Sequence, residues 1–180
     1  MLKGNRLLLV VMVMTTLAGL FIYGLQRGDP DRNIRSNYLG KPVPSFELSV
    51  YERYQDVYGP TLKIEDYIGQ PMVINFWSPT CPPCREEAPE LQKIWEKYSD
   101  ELLILGIHTR DAGMEGGNKF LDQFDLSFPS VFDEKRRLMI DYGLFGLPET
   151  FFVNSDGTLA YKHVGQISEV VLEDRIEALY

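Results

Sequence analysis

The sequence is poor in cysteine, histidine and positive charge. Its 180 residues include two Cys and two His, which excludes a framework of several disulfides. Eighteen Lys and Arg against 26 Asp and Glu give a net charge of −8, which argues against a nucleic-acid partner, because phosphates need a basic surface. Internal repeats and low-complexity tracts are also absent, so the sequence predicts one ordinary globular domain with an extension.

The first 28 residues contain no acidic residue, and they include one long uncharged run. Residues 7–25 read LLLVVMVMTTLAGLFIYGL and follow Lys3 and Arg6. As a helix this run would span about 28 Å, close to the hydrocarbon thickness of a bilayer. Because no good cleavage site ends the run, an uncleaved anchor is favoured over a signal peptide. We predict a single-pass membrane anchor in residues 1–26, contacting the lipid bilayer through residues 7–25, and a polar tether in residues 27–38.

The rest of the chain, residues 39–180, alternates between strand and helix patterns. Met72–Trp77 and Leu102–His108 are nearly continuous apolar runs, typical of strands buried on both faces of a parallel sheet. Between them, Glu86–Tyr98 carries one apolar stripe at helical spacing. Later, a Ser-Asp-Gly turn separates two further strand patterns and indicates a hairpin. This order predicts an α/β domain with a mixed central sheet flanked by helices.

The connecting segments give weaker signals. Tyr51 to Tyr58 reads as a loop, and Asp111 to Asn118 contains three glycines and reads as an exposed loop. Helices are expected over Lys119 to Phe124 and near Lys135 to Tyr142. Ser168 is expected to cap a final helix.

Both cysteines lie in one motif, Cys81-Pro82-Pro83-Cys84, directly after a predicted strand and directly before a predicted helix. At a helix amino terminus, backbone N–H groups and the helix dipole lower the pKa of the first thiol, so that its thiolate can attack a disulfide. The second cysteine can then resolve the mixed disulfide. The motif therefore predicts dithiol-disulfide exchange.

Other uses of the two thiols are possible. A structural zinc site would need His108 and His163 as well, and copper could bind both cysteines and one histidine. Two inert core thiols would not usually meet at a strand-to-helix turn. A peroxidase is disfavoured, since Ile74 stands where the peroxiredoxin pattern P-x-x-x-T-x-x-C needs proline.

Three motifs together resemble a known family. They are FWSPTCPPC at Phe76–Cys84, GLPETF at Gly146–Phe151 and GKPVPSF at Gly40–Phe46. They are similar to the membrane-anchored thioredoxin-like proteins of cytochrome c maturation, of the DsbE/CcmG and TlpA/ResA types. The similarity extends from residue 39 to the carboxyl end. It implies a thioredoxin-like fold, with the cysteine pair as redox centre and no metal or other cofactor.

The resemblance also implies roles for single residues. Cys81 would be the attacking nucleophile and Cys84 the resolving thiol. Glu87, one helical turn after Cys84, matches a glutamate thought to manage the protons of the cysteine pair. Pro148 matches the cis-proline that faces the disulfide in thioredoxin folds.

Substrate-binding roles are implied for three more residues. The backbone of Leu147 would be an edge to which a substrate strand pairs. Glu149 could recognise a partner or be a turn residue, and Trp77 could shield the motif or only pack.

Asn75 occupies the place of the buried Asp of many thioredoxins. Asn cannot take up a proton, which leaves Glu87 as the better proton carrier.

The resulting expectation is an anchored protein-disulfide reductase on the extracytoplasmic side of the cell membrane. The resemblance implies that its electrons come from a membrane thiol reductase, and that its substrate is the CxxCH disulfide of apocytochrome c or another disulfide-bearing envelope protein. Because Pro83 lacks an N–H and the Pro-Pro dipeptide lacks charge, the pair is expected to be reducing. The alternatives are a general envelope reductase or oxidase, and a copper or haem chaperone.

Overall fold

The computed structural model describes residues 2–26 and 39–180, which belong to two compact units, Met1–Arg32 and Asn33–Tyr180. In the first unit, Leu2–Gln26 forms one helix, α1. Among the described residues, no helix combines the length and the apolar character that crossing a membrane requires. The membrane-spanning character of residues 7–25 stays a prediction. The predicted tether at residues 27–38 lies outside the described residues.

The second unit is built on a mixed five-stranded sheet of order β5-β4-β3-β6-β7. Strands β3, β4 and β5 are parallel, whereas β6 is antiparallel to both β3 and β7. The strand bounds are β3 Met72–Trp77, β4 Leu103–Thr109, β5 Ser130–Asp133, β6 Glu149–Val153 and β7 Leu159–Val164. The predicted hairpin and mixed sheet are thus confirmed, and β3 and β4 are buried along their whole length.

Helices flank the sheet, and a small hairpin precedes it. The hairpin pairs β1 (Glu47–Ser49) with β2 (Thr61–Lys63). The helices are α2 Gln55–Tyr58, α3 Pro82–Tyr98, α4 Gly113–Gln123, α5 Arg137–Asp141 and α6 Glu169–Glu177, with 3₁₀ turns at Glu52–Tyr54 and Ile64–Tyr67. Helix α3 packs against α6 and turns Leu91 and Ile94 into the core, as its apolar stripe predicts.

Two helices begin earlier than the sequence pattern indicates. Helix α3 starts at Pro82 instead of Glu86, because prolines fit the first helical positions, where no N–H partner is needed. Most of the predicted glycine loop is helix α4. Its Gly117 lies against the Tyr51 ring so closely that a side chain there would clash. This glycine therefore serves close packing and does not mark a loop.

Two smaller expectations also differ. Residues 52–58 form the short turns and helix given above instead of a loop, with Tyr51 and Tyr54 buried in the core. Ser168 stands at the N-cap position of α6, but its side chain makes no capping hydrogen bond.

The register of the sheet determines where functional side chains meet. Trp77 at the end of β3 lies opposite His108 of the parallel strand β4. On the other side, Phe76 lies opposite Glu149, the first residue of β6. The end of β3, the end of β4 and the beginning of β6 therefore share one edge of the sheet, and α3 starts there.

Candidate active site

The two cysteines form a disulfide at the amino terminus of α3. Cys81 is the N-cap residue, and its Sγ accepts a hydrogen bond of 3.3 Å from the Cys84 backbone N–H. Cys81 is partly exposed, whereas Cys84 is 1% exposed. A reacting partner can therefore reach the sulfur of Cys81 and not that of Cys84, which is the asymmetry predicted for an attacking and a resolving thiol.

Asp111, which the sequence analysis missed, holds the turn that leads into the motif. Its carboxylate accepts hydrogen bonds from the Ser78 hydroxyl and, at 2.6 Å, from the Thr80 hydroxyl. These bonds lower the pKa of Asp111. The Cys81 N–H donates to the Ser78 carbonyl at 3.1 Å. The only sequence signal was its position just after β4, at the same sheet edge as the motif.

Glu87 is buried beneath the cysteine pair, one helical turn after Cys84. Its side chain is 1% exposed. Oε1 accepts a 2.7 Å hydrogen bond from the Asn75 side-chain amide, and Oε2 accepts one of 2.9 Å from the Ile167 N–H. Asn75, in β3, also donates to the Thr150 hydroxyl at 3.1 Å. The residue that replaces the usual Asp therefore orients the glutamate.

Burial raises the pKa of Glu87 to about 8, although both hydrogen bonds oppose the shift. The cause is desolvation, which penalises the charged carboxylate. The carboxyl group is therefore mostly neutral at pH 7. A group with this pKa can release and take up a proton near neutral pH, as an acid-base partner of a thiol must.

Pro148 lies directly before β6, next to Leu147 of the cleft. The Leu147–Pro148 peptide bond is cis, as the resemblance implies, and Pro148 is buried. Leu147 is partly exposed and lines a cleft of about 210 Å³ together with Cys81, Pro83, Arg110 and other residues of the two loops. Within residues 39–180, no hydrogen bond forms to the Leu147 backbone. These free groups leave an edge available for a pairing strand.

Glu149 lies in the interior and not on the cleft surface. It is fully buried, and its Oε2 lies 2.7 Å from Nζ of the equally buried Lys162. Oε1 accepts hydrogen bonds from the backbone N–H groups of Phe145 and Gly146, at 2.7 and 3.1 Å. Of the two roles considered for Glu149, this placement favours the structural one, in the turn before Pro148.

Trp77 is also placed in the interior, where it packs. Its ring is 2% exposed and stacks on His108 and Phe120, with centroids 4.7 and 4.4 Å away. His108 Nε2 lies 2.8 Å from the Asp111 carbonyl, so it carries the hydrogen, and Nδ1 accepts from the Tyr51 hydroxyl at 2.6 Å. Burial lowers the pKa of His108, so the imidazole is neutral at pH 7.

Comparison with known proteins identifies the family. The family model described as AhpC/TSA matches residues 39–162, more than half of the chain. The chain belongs to the AhpC/TSA family. The matched segment begins where the globular domain was predicted to begin, and it contains the cysteine motif, Glu87 and the cis-proline.

Relatives of this AhpC/TSA protein carry two of the names that the sequence motifs indicate. Thiol:disulfide interchange protein DsbE of Allochromatium vinosum is 33% identical over 98% of this chain and 93% of its own. Thiol-disulfide oxidoreductase ResA of Bacillus cereus is 27% identical over 98% of both chains. A crystal structure of a Chlorobium tepidum protein assigned to DsbE covers 80% of this chain and 99% of its own, with a TM-score of 0.72 and 27% identity. The resemblance and the thioredoxin-like fold are confirmed.

The burial of Glu87 predicts a pH dependence of stability that Glu87→Gln removes. Between the ordinary pKa of glutamate and about pH 8, the folded protein holds a proton that the unfolded chain has released. Its free energy of unfolding therefore falls as pH rises, by at most about 1.4 kcal/mol per pH unit. Glutamine cannot ionise, so the variant should lose this fall. Urea unfolding of the oxidised protein between pH 5 and 9 measures the slope.

The matched control is Glu86→Gln, because Glu86 is the exposed neighbour in the same turn of α3. This variant should keep the slope of the wild-type protein. Equal slopes for the wild-type protein and Glu87→Gln would show that the buried carboxyl does not titrate in this range.

Proposed function

We propose that this protein is a thiol-disulfide oxidoreductase that works as a reductase of disulfides in other proteins, and that its substrate is the CxxCH disulfide of apocytochrome c. The observation that carries the proposal is the asymmetric cysteine pair above a buried carboxyl group. One sulfur is accessible at a helix amino terminus, and the other is covered and lies one turn from Glu87.

The reaction starts from the reduced pair. The Cys81 thiolate attacks one sulfur of the substrate disulfide, the substrate S–S bond breaks, and the second substrate sulfur leaves as a thiolate. Cys84, as thiolate, then attacks Cys81 and releases the first substrate sulfur. Two electrons pass to the substrate, and the protein ends in the Cys81–Cys84 disulfide state. A membrane thiol reductase would restore the dithiol.

Glu87 serves as the proton carrier of Cys84. In the minority of molecules whose Glu87 is ionised, the carboxylate accepts the Cys84 thiol proton as Cys84 attacks and becomes neutral, the form that burial favours. When the disulfide is reduced again, the same proton can return to the Cys84 sulfur. Because Asn75 and Ile167 bond the two carboxyl oxygens, the group stays oriented through both steps.

Support for this substrate and donor comes from the sequence motifs, and the relatives named DsbE and ResA agree with thiol-disulfide chemistry. Two other functions would use the same thiols. A general envelope reductase or oxidase would not discriminate between disulfides. A copper or haem chaperone would use the sulfurs as ligands. In the part of the chain that the structure describes, no three His, Cys, Asp or Glu side chains gather as a metal site.

The reductase proposal predicts exchange with a peptide that carries an oxidised Cys-x-x-Cys-His motif. The reduced protein should convert this peptide to the dithiol. Cys84→Ser should instead accumulate a mixed disulfide through Cys81, because the resolving thiol is missing, and Cys81→Ser should be inactive. Thiol trapping followed by mass spectrometry measures all three outcomes.

The control is a peptide in which alanine replaces the histidine of the motif. The apocytochrome role predicts that this peptide is reduced several-fold more slowly. Equal rates would point to a general reductase. Tightly bound copper or haem in the purified protein, together with no exchange at all, would favour the chaperone.

We also propose that α1 attaches the protein to the cell membrane, with the redox domain on the extracytoplasmic side. The uncharged run of residues 7–25 behind Lys3 and Arg6 supports this, as does the exposure of α1 side chains from Leu8 to Tyr23.

The full chain should stay with membranes after alkaline carbonate washing, because burial of these apolar side chains resists extraction. Its redox domain should be digested by protease added outside intact spheroplasts. Release by carbonate, or protection from the protease, would contradict this placement.

A further inference from the structure

The loop before cis-Pro148 displays a large apolar side chain to solvent. Phe145 is 71% exposed, although aromatic rings of this size are usually buried. It lies two residues before Leu147, which lines the cleft beside Cys81. Two residues of chain span at most about 7 Å, so Phe145 belongs to the loop that forms one wall of the cleft where the substrate disulfide must approach.

A buried ion pair fixes the shape of this loop. The Glu149 carboxylate accepts the backbone N–H groups of Phe145 and Gly146. Its partner Lys162 donates to the Gly143 carbonyl at 2.8 Å. Both charged side chains are at most 2% exposed, and desolvating such a pair is costly unless further hydrogen bonds accompany it. Here those further bonds all go to the backbone of residues 143–146.

The same lysine positions the aromatic ring. Nζ of Lys162 lies 4.7 Å from the ring centroid of Phe145, within the range of a cation-π contact. The ring is thus supported from the protein side, while most of its surface remains open. A side chain held in this way loses little conformational entropy when a partner covers it.

We infer that Phe145 determines substrate specificity, by packing against an apolar side chain of an extended polypeptide near the disulfide that Cys81 attacks. The inference rests on the proposed function, because Leu147, two residues after Phe145, lines the cleft beside Cys81. An extended chain advances about 3.3 Å per residue. The side chain two positions from the attacked cysteine therefore lies about 6 to 7 Å away from it, and the backbone of Phe145 is at most about 7 Å from that of Leu147 in the cleft wall.

Two peptides test this preference. Both carry the same intramolecular Cys-x-x-Cys disulfide, and they differ in having Leu or Ser two positions outside each cysteine. The reduced full-length wild-type protein is expected to show a kcat/KM about tenfold higher for the Leu peptide. Phe145→Ala should bring the two values together, and Phe145→Leu should restore most of the preference, because an apolar contact remains.

Tyr180→Ala is the matched control. Tyr180 is also an exposed aromatic residue, at 67%, and it lies at the carboxyl end of the chain, outside the cleft residues. This variant should keep the full preference for the Leu peptide.

The outcomes separate the inference from the proposed function. If the wild-type protein reduces neither peptide nor hydroxyethyl disulfide, the proposed function fails. If it reduces the peptides but does not discriminate between them, the role of Phe145 is overturned. An equal loss with both peptides in Phe145→Ala would likewise overturn it. One further result would overturn it, namely that Phe145→Ala loses self-association in sedimentation while the preference for the Leu peptide is unchanged. A second copy of the chain would then be the partner that covers the ring.

Discussion

The architecture of the redox site depends on burying one carboxyl group under the cysteine pair. Glu87 has no access to water, and three segments distant in sequence converge on it. Helix α3 carries it, Asn75 of β3 donates to one oxygen, and the Ile167 N–H before α6 donates to the other. These contacts hold the carboxyl group where helix and sheet meet, and its burial there keeps it mostly neutral at pH 7, although the two hydrogen bonds oppose that shift. Stability and redox chemistry are coupled through this residue.

The sheet supplies the geometry around that group. Parallel pairing of β3 and β4 and antiparallel pairing of β3 and β6 bring the cysteine turn, Asp111 and cis-Pro148 to one edge. One carboxylate accepts hydrogen bonds from each of the two loops that flank the cleft. Asp111 holds the turn before Cys81, and Glu149 holds the turn before Pro148. Between these two fixed loops lies the cleft that contains the reactive sulfur.

Much of this site follows from the sequence, because the signals are local. Apolar runs identify β3 and β4, and the motif between a strand and a helix identifies Cys81 and Cys84. Glu87 follows from helical spacing and from the family resemblance. The contacts of Asp111 and Gly117 are different, since their partners are distant along the chain: Ser78 lies 33 residues from Asp111, and Gly117 lies against Tyr51. The sequence does not distinguish a solvated carboxylate from one that is buried against a lysine.

The most direct test of this account is the reduction potential of the Cys81–Cys84 pair as a function of pH, in the wild-type protein and in Glu87→Gln. Equilibration in thiol redox buffers with thiol trapping provides the values. The account predicts a potential below about −200 mV at pH 7, with an inflection near pH 8 that disappears in the variant. A potential near about −120 mV, the range of a strong oxidant, or identical pH profiles for the two proteins, would contradict it.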